Sequence, residues 1–302
     1  MSDSNMQALD SRPLEIWLAD LAHDSNTFKT IPLGIGCIAA CTKKELGDAV
    51  EFRFFKRVAA FSDACRDGIP DVIGLTNGIW NHHLSYTLVQ KIKAIYPEVI
   101  IVFGGPNYPI DPEDQKKFLE SHPLVDFCFF RDAEETFPPF IRTLIEYKCD
   151  VTELKQSGIE LDGCHYLNNG EFISGKTLPR IDDLTRIPSP YLMGFYDDFL
   201  QDYLDPLLQP TRGCPFTCTY CTEGQPYHAT IARLELSRFE EELEYIAQRI
   251  KHKELTLHIG DANFGMFPRD VEICEIIARV QDKYDWPRRV DASSRRSRAP
   301  SK

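Results

Sequence analysis

Three thiols crowd into eight residues of this sequence. The stretch Arg212-Gly-Cys-Pro-Phe-Thr-Cys-Thr-Tyr-Cys221 sets Cys214, Cys218 and Cys221 in a C-x3-C-x2-C spacing. Thiolates this close, on a loop, can converge on one face of a metal centre. Iron–sulfur clusters are held by Cys thiolates, normally four. Three ligands would leave one iron with an open position able to take a small chelating molecule. Structural zinc is the main competitor, but it prefers four ligands from two separated pairs. Neither Glu223 nor His228 completes such a pattern. Three buried thiols with no metal is the bland alternative. The other seven cysteines (Cys37, Cys41, Cys65, Cys128, Cys149, Cys164, Cys274) are scattered, mostly within apolar patterns, and read as buried, inert thiols.

Elements able to position the thiols surround them. Pro206–Thr211 (PLLQPT) reads as a strand running straight into the cluster, and Glu254–Gly260 (ELTLHIG) as another. Between them Ser237 is a candidate N-cap, with Glu240 three residues on, for a helix Arg238–Ile250. A second helix spans Arg269–Tyr284, and a further strand begins near Arg288. Upstream, Leu14–Asp20, Glu51–Lys56, Asp71–Gly78, Val99–Pro106 and Val125–Phe130 read as five strands separated by helices. That order predicts a parallel, doubly wound sheet. Ligands of such sheets sit beyond the carboxyl ends of the strands, which here are Asp20, Thr76-Asn77-Gly78 and Gly104-Gly105-Pro106-Asn107. Small residues there would let a large planar or phosphate-bearing ligand approach the backbone, or would simply make tight turns. No G-x-G-x-x-G follows a strand, so a dinucleotide site has little support. Residues 148–206 read as a linker carrying a β-hairpin around Asn168-Asn169-Gly170 and stiffened by Pro179, Pro188 and Pro190.

Composition excludes several functions. The 302 residues carry a net charge of −12, with 43% hydrophobic and 26% charged residues, an ordinary globular balance. The acidic excess argues against general nucleic-acid binding, which needs a basic surface. The longest apolar runs fall far short of the roughly 18–20 residues a membrane helix needs. Residues 1–13 are polar and read as a disordered N-terminus with no export signal, so the chain is expected in the cytoplasm. No Ser/His/Asp set or carboxylate pair competes as a catalytic apparatus, and pairs such as Asp182-Asp183 and Glu134-Glu135 read as solvated surface. No side chain is singled out as catalytic.

The stretch TRGCPFTCTYC resembles the cluster loop of the radical SAM superfamily. The resemblance implies a [4Fe–4S] cluster on Cys214, Cys218 and Cys221, with S-adenosylmethionine chelated at the fourth iron. It implies Tyr220 near the adenine. Gly260-Asp261-Ala262-Asn263 matches the position that contacts the methionine end, with Gly260, Asp261 and Asn263 as candidate contacts, although it departs from the common Gly-Gly-Glu form. Asp261-Ala-Asn-Phe264 looks like the variant found in members with an N-terminal cobalamin-binding domain. PLGIGCIAA, PDVIGLT, VIIVFGGPNYP and VDFCFFRDAEETF, within 14–147, resemble that domain. Arg131-Asp-Ala-Glu134 departs from the family's Gly-Glu-Gly-Glu type. The resemblance further implies cobalamin near Thr76, Asn77, Gly104, Gly105 and Pro106. Asp20-Leu-Ala-His23 lacks the D-x-H-x-x-G spacing, which suggests binding without a histidine on cobalt. His82 and His83 would face solvent or cap a helix.

The implied fold is α/β, a Rossmann-like cobalamin-binding domain (14–147) followed by a partial radical SAM β/α barrel (207–292). The implied chemistry is reductive cleavage of SAM to a 5′-deoxyadenosyl radical, used for cobalamin-assisted methyl transfer or rearrangement on an unreactive carbon of a small-molecule substrate. The electron would come from a donor such as flavodoxin or ferredoxin. The segment after Cys221 has room for two or three β/α units of roughly 30 residues, about half the family's barrel. The family pattern fades near Ser294, as a truncation would cause, and 293–302 reads as a basic, disordered tail. Two readings stay open: an enzyme completed by a second polypeptide, or an inactive fragment that binds a corrinoid or a cluster.

Overall fold

A computed structural model describes residues 12–23 and 29–294. The expectations for the terminal residues 1–11 and 295–302 lie outside the described residues. Those for the flanking positions are corrected. Arg12 pairs with Asp71 at 2.7 Å, and Ser293 and Ser294 belong to a strand rather than a tail.

The chain divides into two units. The first takes in residues 1–28 and 34–178. Its strands are β1 (Leu14–Ala22), β2 (Val50–Arg57), β3 (Val72–Thr76), β4 (Ile100–Gly104), β5 (Phe127–Phe129), β6 (Cys164–Asn168) and β7 (Glu171–Ser174). They form one sheet in the order β2-β1-β3-β4-β5-β6-β7. The first five strands are parallel, whereas β6 and β7 add antiparallel. The hairpin expected inside a linker thus extends the sheet, because β6 pairs with β5 through Cys128–His165 and Phe129–Cys164. Helices α1 (Leu33–Leu46), α2 (Val58–Asp67), α3 (His82–Ile95), α4 (Pro112–Ser121) and α5 (Phe137–Glu146) connect or flank the strands, and α6 (Val151–Gln156) comes after them.

Burial explains the composition of the central strands. β3 (VIGLT) and β4 (IIVFG) are buried at every position but the last, so they read as continuous apolar runs rather than alternating ones. At the β1–β2 side Trp17, Phe55 and Phe61 pack as a tilted and edge-on aromatic trio, with Trp17–Phe55 centroids 5.1 Å apart and Phe55–Phe61 5.2 Å. The scattered cysteines mostly bear out the buried reading. Desolvation pushes the Cys41 and Cys149 thiols up to about 12. Cys37, Cys128, Cys149 and Cys164 are buried, Cys41 and Cys65 are half-buried, and Cys274 departs from the expectation by being exposed. Glu134 is also corrected, since it is buried rather than on the surface.

The second unit comprises residues 29–33 and 179–302. Its strands are β8 (Leu207–Leu208), β9 (Thr211–Arg212), β10 (Ala232–Arg233), β11 (Leu257–Phe264) and β12 (Val290–Ser294). Among the described residues, β8, β11 and β12 form a parallel sheet in the order β12-β11-β8. Helices α7 (Leu236–Arg249) and α8 (Arg269–Tyr284) make the crossovers, giving β/α units of barrel type. Each helix buries one stripe, Phe239, Leu243 and Ile246 on α7 and Ile273, Ile276 and Val280 on α8. The cap of α7 is Glu235, without a side-chain bond, so Ser237 lies inside the helix instead of starting it. The single strand read over 206–211 is two. Pro210 has no N–H for a ladder, and past it the chain leaves β8 and pairs as β9 with β10, antiparallel. No helix of the described residues is long and apolar enough to cross a membrane.

Candidate functional site

The thiol loop leaves β9 through Gly213. This residue has φ +112°, and a Cβ there would meet the Thr230 carbonyl oxygen at 2.2 Å. Only glycine lets the two limbs of the loop lie so close. The Cys214 N–H then donates to the His228 carbonyl at 2.9 Å, and the Cys221 N–H to the Cys218 carbonyl at 3.2 Å. The loop is therefore closed at its base and turned at its tip. Cys214 is buried at the base, while Cys218 and Cys221 are exposed on the turn. Among the described residues no three Cys, His, Asp or Glu side chains stand together as a metal-binding group. The thiols share one loop, Cys214 at its base and Cys218 and Cys221 on its turn.

β11 reaches that loop. The expected strand stopped at Gly260, but β11 continues to Phe264 and its register with β12 shifts after Ile259. Gly260, Asp261 and Asn263 therefore lie within the strand. Asn263 Nδ2 donates to Cys214 Sγ at 3.1 Å. Asp261 is buried, and its Oδ1 accepts the Thr211 N–H at 2.9 Å. Desolvation lifts its carboxyl to about 7 against the opposing Thr211 bond. Beside these residues lies a cleft of about 280 Å³, lined among others by Arg180, Gln209, Arg212, Glu223, Gly260 and Asp261. Gln209 ties its walls together, accepting from Arg212 Nε at 3.0 Å and donating to the Gly260 carbonyl at 3.1 Å. Tyr220 is 91% exposed at the tip of the loop. His228 does not join the thiols through its side chain, since its Nδ1 accepts from Arg180 at 3.0 Å. Arg180 was not singled out from sequence, because nothing in the local pattern distinguishes a guanidinium between prolines.

The first unit offers a second polar edge. The order 2-1-3-4-5 reverses between β1 and β3, the topological switch point beyond which ligands bind in open sheets. There Asp20 Oδ1 accepts from Thr76 Oγ1 at 2.6 Å and from Asn81 Nδ2 at 3.2 Å, and Oδ2 pairs with Lys56 at 2.7 Å. Thr76 is thereby turned inward. The loops after β3 and β4 knit together, with the Asn77 N–H on the Gly104 carbonyl at 2.7 Å and the Asn107 N–H on the Asn77 carbonyl at 3.0 Å. Gly105 has φ +136°, and a Cβ there would lie 2.8 Å from the Asn77 carbonyl oxygen. Its small size serves this packing rather than ligand approach alone. Asn77 Nδ2 is buried without a hydrogen-bond partner, whereas Asn77 Oδ1 accepts from His82 Nδ1 at 2.8 Å. His82 is thus half-buried against Asn77 instead of facing solvent, and His83 is exposed. Gly105 and Pro106 are exposed, as are Ile79 and Trp80 on the neighbouring loop. The exposed Ile79, Trp80, Gly105 and Pro106 give this edge an apolar rim that suits a large macrocycle.

The B12 binding domain family matches residues 24–141. The chain is 29% identical over 292 residues to the cobalamin-dependent radical SAM methyltransferase TokK of Streptomyces tokunonensis, covering 93% of this chain and 40% of that protein. It is 30% identical over 217 residues to the 2-(S-pantetheinyl)-carbapenam-3-carboxylate methyltransferase of Streptantibioticus cattleyicolor, 69% of this chain and 30% of that one. The fold matches the solved structure of the cobalamin-dependent S-adenosylmethionine radical enzyme OxsB with aqua-cobalamin and S-adenosylmethionine bound. The TM-score is 0.63 at 18% identity, over 95% of this chain and 39% of that one. The chain thus spans less than half the length of these relatives. Residues 24–141 thus match the B12 binding domain family, and over most of its length the chain is similar to cobalamin-dependent radical SAM methyltransferases.

Proposed function

We infer that the chain is a cofactor-holding part of a cobalamin-dependent radical SAM methyltransferase acting on a small-molecule substrate. The observation that carries this reading is the bond from Asn263 to Cys214, which couples the β11 segment to the thiol loop beside a polar cleft. In this reading Cys214, Cys218 and Cys221 hold a [4Fe–4S] cluster, the soft thiolate set such clusters take. Cys214 would hold it from the buried base of the loop, and Cys218 and Cys221 from its exposed turn. Tyr220, exposed on that turn, would lie near the adenine. Gly260, Asp261 and Asn263 flank the methionine end of S-adenosylmethionine, with Gly260 keeping its side of the cleft open. When bound, the cluster and cofactor supply reductive cleavage of SAM to a 5′-deoxyadenosyl radical, with cobalamin as methyl carrier.

In the first unit Thr76, Asn77, Gly104, Gly105 and Pro106 form the corrin edge. Asn77, buried under that edge, holds the loops after β3 and β4 together through His82 and Asn107, and Thr76 keeps the Asp20–Lys56 network in register beneath it. The electron is expected from a one-electron donor of flavodoxin or ferredoxin type. Anaerobic reconstitution with iron and sulfide tests the proposal. A brown chain with about four irons that converts S-adenosylmethionine to 5′-deoxyadenosine and retains hydroxocobalamin through gel filtration is the expected result. A colourless chain, or one holding zinc, overturns it, and a cluster without cleavage reduces the chain to a binding fragment.

A further inference from the structure

Arg180 lies far before the thiol loop in sequence, yet its side chain is only 7% exposed at the cleft. It touches two residues of the loop's downstream limb. Arg180 Nη1 donates to His228 Nδ1 at 3.0 Å and lies 3.9 Å from Glu223 Oε2. Glu223 and His228 also face one another at 3.6 Å. The guanidinium carbon stands 5.7 Å from the Tyr227 ring centroid, within cation–π range. Each of the two polar partners is one step from a thiol. Glu223 sits in the short 3-10 turn that succeeds Cys221, and the His228 carbonyl takes the Cys214 N–H at 2.9 Å. One side chain from outside the loop therefore reaches the neighbours of its first and last thiols.

We propose that Arg180 is a positioning residue that clamps the base of the thiol loop, keeping Cys214 sheltered and the Cys218–Cys221 turn within reach of it. The metal part of this claim rests on the iron–sulfur reading given above. The chemistry suits the task. A guanidinium is always charged and planar, and it presents several donors in a fixed fork, so it can serve an imidazole and a carboxylate at once. A lysine ammonium is a point charge on a flexible stem and cannot hold both in one geometry.

The test uses the full chain and the variants Arg180→Ala, Arg180→Lys and Glu223→Gln. In the metal-free state, alkylation mapped peptide by peptide reads the clamp directly. Cys214 of the parent reacts far more slowly than Cys218 and Cys221, and Arg180→Ala brings it up to their rate while far-UV circular dichroism stays unchanged. After reconstitution, Arg180→Ala loses iron to a chelator roughly 10- to 100-fold faster than the parent, the scale on which outer partners of metal ligands act. Arg180→Lys and Glu223→Gln fall between the two. Unchanged Cys214 protection in Arg180→Ala overturns the proposal, as does unchanged iron retention. A uniform rise in reactivity of all ten cysteines in every variant, with the melting midpoint falling in step, assigns Arg180 a merely structural role and also overturns it. If the parent itself takes up no iron, the iron–sulfur reading fails, and the Cys214 rate alone decides the clamp.

Discussion

Asn263 and Cys214 are joined by a 3.1 Å bond from the amide to the sulfur. The strand that carries the candidate SAM contacts therefore also dresses the first candidate cluster ligand. Hydrogen bonds to cluster sulfurs stabilise the reduced, more negative state and raise its potential. Asn263→Leu keeps the volume and removes the donor. The reconstituted variant is expected to have a more negative midpoint in an EPR-monitored redox titration, and an unchanged midpoint means that the bond does not survive loading.

Asp261 makes the stability of the second unit depend on pH. Burial lifts its folded value from the ordinary 3.8 to about 7. Between those values the folded chain keeps a proton that the unfolded chain has released. Stability from this group is thus full below about pH 4, declines as pH rises towards 7 and is flat above. Asp261→Asn retains an oxygen for the Thr211 N–H and cannot ionise. Urea unfolding is expected to show it more stable than the parent at pH 8, by on the order of 2–4 kcal/mol, and equal at pH 4.

Lys56 and Asp20 form a largely buried ion pair at 2.7 Å, with side chains 8% and 19% exposed. Lys56→Met leaves the Asp20 carboxylate with only its Thr76 and Asn81 donors. Breaking one side of such a pair costs about 3 kcal/mol. Adding Asp20→Asn in the same chain removes the uncompensated charge, and chemical denaturation is expected to recover part of the loss. A single variant as stable as the parent contradicts the pairing.

Gly105 is where backbone geometry and the corrin edge meet. Gly105→Ala must hold φ near +136° and push a carbon to within 2.8 Å of the Asn77 oxygen, a strain of about 1–3 kcal/mol. The variant is expected to unfold at lower urea and to lose hydroxocobalamin on gel filtration. Gly34→Ala, in α1 with nothing within 4 Å of the added carbon, is expected to retain the corrin as the parent does.

Asn77 tests the same edge without strain. Asn77→Ala removes the orphaned donor together with the acceptor used by His82 and Asn107. Equilibrium dialysis is expected to show roughly fivefold weaker hydroxocobalamin binding, the factor that about 1 kcal/mol of lost hydrogen bonding beneath the edge gives. Equal binding removes Asn77 from the site.

The strand–helix rhythm of the first unit is legible because its parallel strands are short, continuous apolar runs between turn residues, as in β3 and β4. The spacing of the thiols is equally plain. Helix α4 went unread although Asp111 caps it and Pro112 opens it, because the helix is strongly polar and its buried stripe is thin. The break at Pro210 was visible as a proline. That it sends β9 off to pair with β10 depends on a partner strand distant in sequence. Arg180 and Gln209 carry no local signature at all.

Residue type and short-range spacing by themselves determined the donor chemistry of this protein: three soft sulfurs on one loop, and glycines and amides at the ends of buried strands. Those features are covalent or local, so they survive without knowledge of the fold. Tertiary structure decided which distant groups serve them. It buried Cys214 under Asn263 and brought a guanidinium to the loop's base. It also buried the Asn77 amide at the switch point, with its oxygen paired and its nitrogen left without a partner. Burial, desolvation and hydrogen-bond pairing arise only between segments remote along the chain, and no reading of neighbours in sequence contains them.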